Sequence, residues 1–337
     1  MNIIQFSKQF IFGEDRPFAS CHASTLAALP DNSILAAWFG GSREGAGDVA
    51  IWCSRRQDGK WSEPMKAADE EGLPHWNPVL HQDDAGRTWL FYKVGMKISS
   101  WQTRVVQSFD GGLTWSDPRE LVKGDVGGRG PVKNKMIVLQ NGVWAAPASL
   151  EGETWEAFVD RSDDGGASWT MSNRIRLNAN APSDGSCTAP AASMKGKGFI
   201  QPTLWESEPG RVHMLLRTTT GFIYRSDSDD GGKTWSEAYA LSMPNNNSGI
   251  DLAKLPNGML ALVYNPVGEN WGPRTPLVID VSDDNGKTWR RKLTLEDGPG
   301  EYSYPAIIVS GNDILVTYTW KRENIAFWQI PIDLLIS

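Results

Sequence analysis

Ser282-Asp283-Asp284-Asn285-Gly286-Lys287-Thr288-Trp289 reads S-x-D-x-G-x-[ST]-W, and three earlier stretches fit the same template: Ser108 to Trp115 (SFDGGLTW), Ser162 to Trp169 (SDDGGASW) and Ser228 to Trp235 (SDDGGKTW). A fifth, Ser54 to Trp61 (SRRQDGKW), keeps the two ends and has lost the middle. The five tryptophans stand 54, 54, 66 and 54 residues apart. A tight-turn signature returning at a period of roughly 40 to 50 residues or a little more marks an array of like units, such as a propeller.

Between the copies lies a second pattern of apolar strand, turn and apolar strand, starting near His22, Asn77, Asn134, Gln201, Gly249 and Tyr304. Turns such as Asn141-Gly142 and Asn257-Gly258 between apolar and β-branched runs are hairpin signals. Six hairpins, five of them followed by the recurring phrase, predict an all-β, six-bladed β-propeller of four-stranded antiparallel blades, one domain over residues 1–337. No phrase follows the sixth hairpin. Its outer strand is expected from Ile3 to Phe12, which would close the ring and protect its edges.

The phrase has a structural rationale. Its Asp accepts hydrogen bonds from turn amides, its Gly takes a positive φ, and its Trp packs as an apolar plate. Gly232-Lys233-Thr234 and Gly286-Lys287-Thr288 resemble the ends of phosphate loops, but Asp227 and Val281 occupy the position of the earlier glycine. The Asp clusters lack the closing Glu of a calcium loop.

A net charge of -7 argues against a nucleic-acid partner, whose affinity would rest on excess Lys and Arg. No apolar run is long enough to span a membrane, and the N-terminal stretch lacks the apolar core of a signal peptide, so a cytoplasmic location is expected. Cys21, Cys53 and Cys187 are scattered and odd in number, which implies no disulfide framework. The histidines show no metal-ligand spacing, and neither a metal nor an organic cofactor is expected. Asn246-Asn247-Ser248 matches a glycosylation sequon by pattern alone.

The recurring phrase is the Asp box, and its return at blade spacing resembles the sialidase superfamily of six-bladed propellers over nearly the whole chain. The resemblance implies an arginine cluster that holds a substrate carboxylate, a Tyr nucleophile with a Glu partner, and an Asp acid/base. Guanidinium forks match carboxylates bidentately, and tyrosine is a known exception among glycosidase nucleophiles. On that pattern Arg217, in HMLLRTT, matches the second arginine, and Arg274, ahead of the last Asp box, matches the third. Tyr304 matches the nucleophile, with Tyr302 as the other register, and Asp48 matches the acid/base loop, with Arg43 beside it as a further contact.

Three departures stand against this match. The first arginine falls on His22, the Glu beside the tyrosine falls on Gln201, and the late Glu falls near Trp320. His22, at an axis-facing strand start, is a candidate for proton transfer. In the run from Arg129 to Lys135, Lys133 and Asn134 enter the third inner strand and are candidate anion contacts, with Asn77 and Trp76 at the matching place in blade two.

The expected partner is an acidic oligosaccharide or glycoside, handled by one of two routes. In hydrolysis, Asp48 moves a proton, Tyr304 attacks or stabilises charge, and the arginines hold the carboxylate. In elimination from a uronate, His22 or Tyr304 removes the proton beside the carboxylate and the arginines stabilise the enolate. A binding propeller without turnover is the third reading.

Overall fold

The computed structural model of the protein describes residues 7–178 and 197–336, and their strands form six antiparallel sheets. In each of blades two to five, four consecutive strands pair in chain order. Blade four shows the plan, with Phe199–Glu208 innermost, then Arg211–Thr218, Phe222–Ser228 and Tyr239–Pro244 outermost. The ring closes as the sequence predicts. Ser7–Phe10 pairs antiparallel with Asn324–Pro331 and supplies the outer strand of blade six. Ile3 to Phe6, the start of the expected closing strand, lie outside the described residues.

Strand periodicity explains why the sheets stack as blades. Successive side chains point to opposite faces. In Leu260–Tyr264, Ala261 and Val263 join an apolar cluster shared with blade six, while Leu260, Leu262 and Tyr264 join one shared with blade four. Six such clusters fill the six blade-to-blade interfaces, so each sheet is covered on both faces.

The four complete Asp boxes form the same turn. In the third, Asp230 Oδ1 accepts the amides of Lys233 and Thr234 at 3.0 and 2.9 Å. Its Oδ2 accepts the Thr234 hydroxyl at 2.6 Å. Ser228 Oγ donates to Asp230 at 2.8 Å and accepts the Gly232 amide at 2.9 Å. The degenerate copy is a different structure. Asp58 and Gly59, at φ 50° and 81°, form a two-residue hairpin turn in which Gln57 pairs with Lys60. A second short strand, Met65–Ala68, then covers the rest of that edge.

The third hairpin departs from its expected length. Its inner strand is only Ile137–Val138, because the residues before it are drawn into contacts across the axis. Cys21 and Cys53 are buried free thiols, and Cys187 lies outside the described residues. Among the described residues no helix is long and apolar enough to cross a membrane.

Candidate functional site

Each blade enters the central channel through a residue in the left-handed region: Ala23, Asn77, Lys133, Gln201, Asn247 and Tyr304, with φ between 44° and 64°. Only two of the six are Asn, the type that tolerates this conformation best. The inner strands of blades one, two, four and six each carry a β-bulge there, an extra residue that bends the strand and re-aims its side chain. Strained positions of this kind persist where the surroundings hold them, often at functional sites. The signal in the sequence was the prolines at Asn77-Pro78, Gln201-Pro202 and Tyr304-Pro305, since proline inside a sheet favours bulges.

The second strand of every blade runs back to this same end of the ring, and the turn that follows it shapes the site. Blade one contributes the loop holding Arg43, Glu44 and Asp48, blade three Glu151, blade four Arg217, blade five Arg274 and blade six Arg322. The third strand runs away again, so the Asp boxes that end it lie on the opposite face.

Arg217 and Tyr304 form the centre. Arg217 is almost fully buried and donates from Nη1 to Tyr304 Oη at 2.6 Å and to Gln201 Oε1 at 2.8 Å. Its Nε donates to Asn247 Oδ1 at 3.0 Å. The Cζ atoms of Arg217 and Arg274 stand 5.4 and 5.5 Å from the centre of the Tyr304 ring. The other register, Tyr302, instead has its hydroxyl on the Pro299 carbonyl.

The third guanidinium near the centre comes from blade six. Arg322, with φ 61°, sits on the turn after the second strand of that blade. Its Nε donates to Glu301 Oε1 at 2.9 Å, and Arg274 Nη1 donates to the same oxygen at 2.7 Å. Arg322 also pairs with Glu44 from blade one. Burial alone would raise the Glu301 carboxyl, but Arg274 and Arg322 outweigh it and hold the carboxyl below its ordinary range. No motif marks Arg322 in the sequence. A third arginine is therefore present where His22 had suggested a loss, and a carboxylate, Glu301, orients it.

His22 is buried at the axis, its ring centre 4.2 Å from that of Tyr304 and its Nδ1 without a hydrogen-bond partner. Burial, then the charges of Arg322, Arg274, Arg217 and Lys133, push it well below the ordinary histidine range. It is a neutral ring, and a proton placed on it would sit among four cations. That opposes the role of base.

Asp48 lies exposed at the rim, where its carboxylate accepts the Ser42 hydroxyl and amide, each at 2.9 Å. The Ser42 hydroxyl hydrogen bond is the main cause that lowers its pKa. Arg43 is exposed on the same loop. Asn77 is largely buried at its left-handed position, and Trp76 is packed against Phe39 and Trp101 with its indole N–H on the Gly95 carbonyl.

Lys133 and Asn134 are a correction. An ammonium has three donors, and those of Lys133 go to Asn134 Oδ1 at 2.8 Å, to the Ile250 carbonyl at 2.9 Å and to the Pro305 carbonyl. Asn134 Nδ2 donates to the carbonyls of Gln201 and Pro202. These side chains are struts across the axis, with nothing left for a substrate. The neighbouring cations are committed too, Arg129 to buried Asp160 and Lys135 to buried Asp251. Asn246 is likewise buried, its amide donating to the Pro273 carbonyl, so the sequon is closed to modification.

Two residues at the site were not singled out from the sequence. Glu151 ends the second strand of blade three and has a buried Oε1 without a partner. Burial pushes its carboxyl up to about 7 against the pull of Arg217 and Lys93. Trp271 is 63% exposed on the loop that carries Arg274. Among the described residues no three His, Cys, Asp or Glu side chains converge as metal ligands.

Comparison with solved structures places this ring among known folds. The Hadza microbial sialidase Hz136 superposes with a TM-score of 0.76 at 17% identity, over 94% of this chain and 66% of that one. The NanB sialidase of Streptococcus pneumoniae, as its K499G mutant, gives 0.72 at 15% identity over 97% of this chain and 71% of its own. A protein of unknown function from Dyadobacter fermentans gives 0.71 at 16% identity, covering 96% of this chain and 97% of that one. This chain thus spans about two thirds of the length of the two sialidases, and at these identities the likeness is one of fold. The family model described as a BNR repeat-like domain matches residues 32–316, so this chain, a six-bladed propeller of sialidase type, belongs to the BNR repeat-like family.

Proposed function

We propose that this protein is an exo-acting glycoside hydrolase for a sugar that carries a carboxylate, sialic acid or a related acidic sugar. The observation that carries this reading is the meeting of Arg217 and Arg274 at Tyr304 at one end of the central channel, with Arg322 joined to Arg274 through Glu301. Arg217 Nη2 and Arg274 Nη2 have no hydrogen-bond partner among the described residues, which leaves guanidinium edges for a substrate carboxylate. Tyr304 faces the anomeric carbon as nucleophile or as stabiliser of its positive charge. Asp48, ionised at neutral pH, takes a proton from the attacking water. The exposed indole of Trp271 offers a stacking face for the outer part of the substrate.

Elimination from a uronate is the second reading, and Gln201 favours it. An amide stands where hydrolysis would use a carboxylate to take the phenol proton. Tyr304 would then be the base, because burial and the charges of Arg322, Arg274, Arg217 and Lys133 disfavour the protonated form that His22 would have to become.

The test is a panel of sialosides and uronic-acid oligosaccharides, followed by reducing-sugar release and by ultraviolet absorbance. Free sugar without absorbance is expected. Absorbance from a new conjugated double bond would overturn hydrolysis for that substrate. A melting shift without product would point to a binding propeller. Arg217→Ala and Arg274→Ala are each expected to lower turnover at least about 100-fold, and near-normal kinetics would refute that arginine's role.

A further inference from the structure

Glu151 closes the strand Trp144–Glu151 and pairs in register with Trp155 across the hairpin. Directly paired residues place their side chains on the same face of a sheet. Trp155 holds its ring 6.0 Å from Arg217 Cζ, so Glu151 is turned toward the same guanidinium. The charges around it are Arg217, Lys93 and Glu44, with the Lys197 ammonium over the Trp155 ring. Among the described residues, Glu151 Oε1 is the only carboxylate oxygen buried without a hydrogen-bond partner. A buried acceptor in that state calls for a donor from outside the protein.

The other carboxylates at the site already have hydrogen-bond or ion-pair partners. Asp48 is bound by Ser42, Glu301 lies between Arg274 and Arg322, and Glu44 pairs with Arg322. Gln201 carries no acid at all.

We propose that Glu151 is the catalytic residue that gives its proton to the departing sugar oxygen, a role that rests on the hydrolase reading above. The anomeric C–O bond breaks with its electron pair on the departing oxygen, and that oxygen takes the Glu151 proton. Oxygen from water bonds to the anomeric carbon, and the surplus proton of that water passes to Asp48. Proton exchange with solvent returns Asp48 to its ionised form and Glu151 to its acid form. A carboxyl raised to about 7 holds its proton at the pH where it is needed. Activity should therefore fall as pH rises through neutrality.

The experiment compares wild type with Glu151→Gln on two substrates of the same acidic sugar, one with a nitrophenyl aglycone and one with a sugar aglycone. Nitrophenolate leaves with little help from a proton. The variant is expected to lose at least about 100-fold in kcat on the sugar aglycone and less than about tenfold on the aryl one. The alkaline limb that wild type shows on the sugar aglycone should vanish from the residual activity of the variant. Glu151→Asp, which keeps an acid on a shorter arm, should retain that limb, and it serves if the Gln variant fails to fold. Equal losses on both aglycones, no loss on either, or an unchanged limb would overturn the proposal alone. No hydrolysis by wild type would overturn the hydrolase reading along with it.

Discussion

The two ends of the ring repeat in different ways. On the Asp-box face, four turns share both backbone and side chains, down to Ser, Asp, Gly and Trp at matching positions. On the other face, six blades share a backbone conformation across five different side-chain types: Ala23, Asn77, Lys133, Gln201, Asn247 and Tyr304 all take positive φ. Where backbone and side chain repeat together, the repeat builds the unit. Where only the backbone repeats, the fold has made equivalent positions and left their chemistry free to differ. Function belongs to such positions, since folds are shared across many activities.

Tyr304→Phe should break this contrast most sharply. The change removes one oxygen and leaves Arg217 with Gln201 and Asn247 as acceptors. Turnover on the acidic sugar is expected to fall roughly 1,000-fold, while the melting temperature stays near that of wild type. A stability loss that accounts for the loss of turnover would make the left-handed ring part of the frame instead.

Lys133→Met tests the same ring from the other side. Lys133 shares the backbone state of Tyr304 but serves the frame, with its ammonium on Asn134, Ile250 and Pro305. Removing it leaves those acceptors buried and unpaired, at a cost of about 3 kcal/mol or more. Denaturant unfolding should show this loss, with KM unchanged in the remaining folded protein. A raised KM at unchanged stability would return Lys133 to the substrate.

The frame was legible in the sequence because a box or an Asn-Gly turn is a local event. Each needs only its own few residues, and each marks one blade. The degenerate copy at Ser54 to Trp61 shows the limit, since its Asp58-Gly59 pair builds a plain hairpin and no box.

Arg217, Arg274 and Tyr304 were singled out because the resemblance to sialidases, read onto their places beside hairpins and boxes, pointed to them, and the structure brings the three side chains together. Arg322 was not, because it sits on an unmarked turn and gains meaning only when blade six closes against Glu44 of blade one. Glu151 was hidden for a similar reason. Its unpaired oxygen depends on what the neighbouring blades bring to it. Lys133 and Asn134 were misassigned because a cation at an axis-facing strand start reads the same whether it points to a ligand or across to the next blade.

Asp230→Ala should give the smallest effect and the clearest statement about the frame. The variant loses three accepted hydrogen bonds at Lys233 and Thr234 and one at Ser228 on an exposed turn. Each is worth about 1 kcal/mol or less in net terms, and three other boxes stay intact, so activity should not change. Burial is the largest single influence on the Asp110, Asp230 and Asp284 carboxyls and would raise them. The hydrogen bonds from Thr114, Thr234 and Thr288, with those from Ser108, Ser228 and Ser282 and the turn amides, together hold them at about 2. A folded pKa below the unfolded value of about 3.9 means stability that is fully present above that value and lost as pH falls toward 2. Below about pH 4 the melting temperature should therefore drop, with a shallower drop in Asp230→Ala. Between pH 7 and 4 wild type and variant should run parallel, because buried His22 and His81 are held below the ordinary histidine range in both and gain a proton on unfolding. Glu151, pushed up to about 7, lies on the other face, so the alkaline limb of activity should be unchanged in Asp230→Ala. A drop below pH 4 as steep in Asp230→Ala as in wild type would show that the boxes are not the acids on which the frame depends.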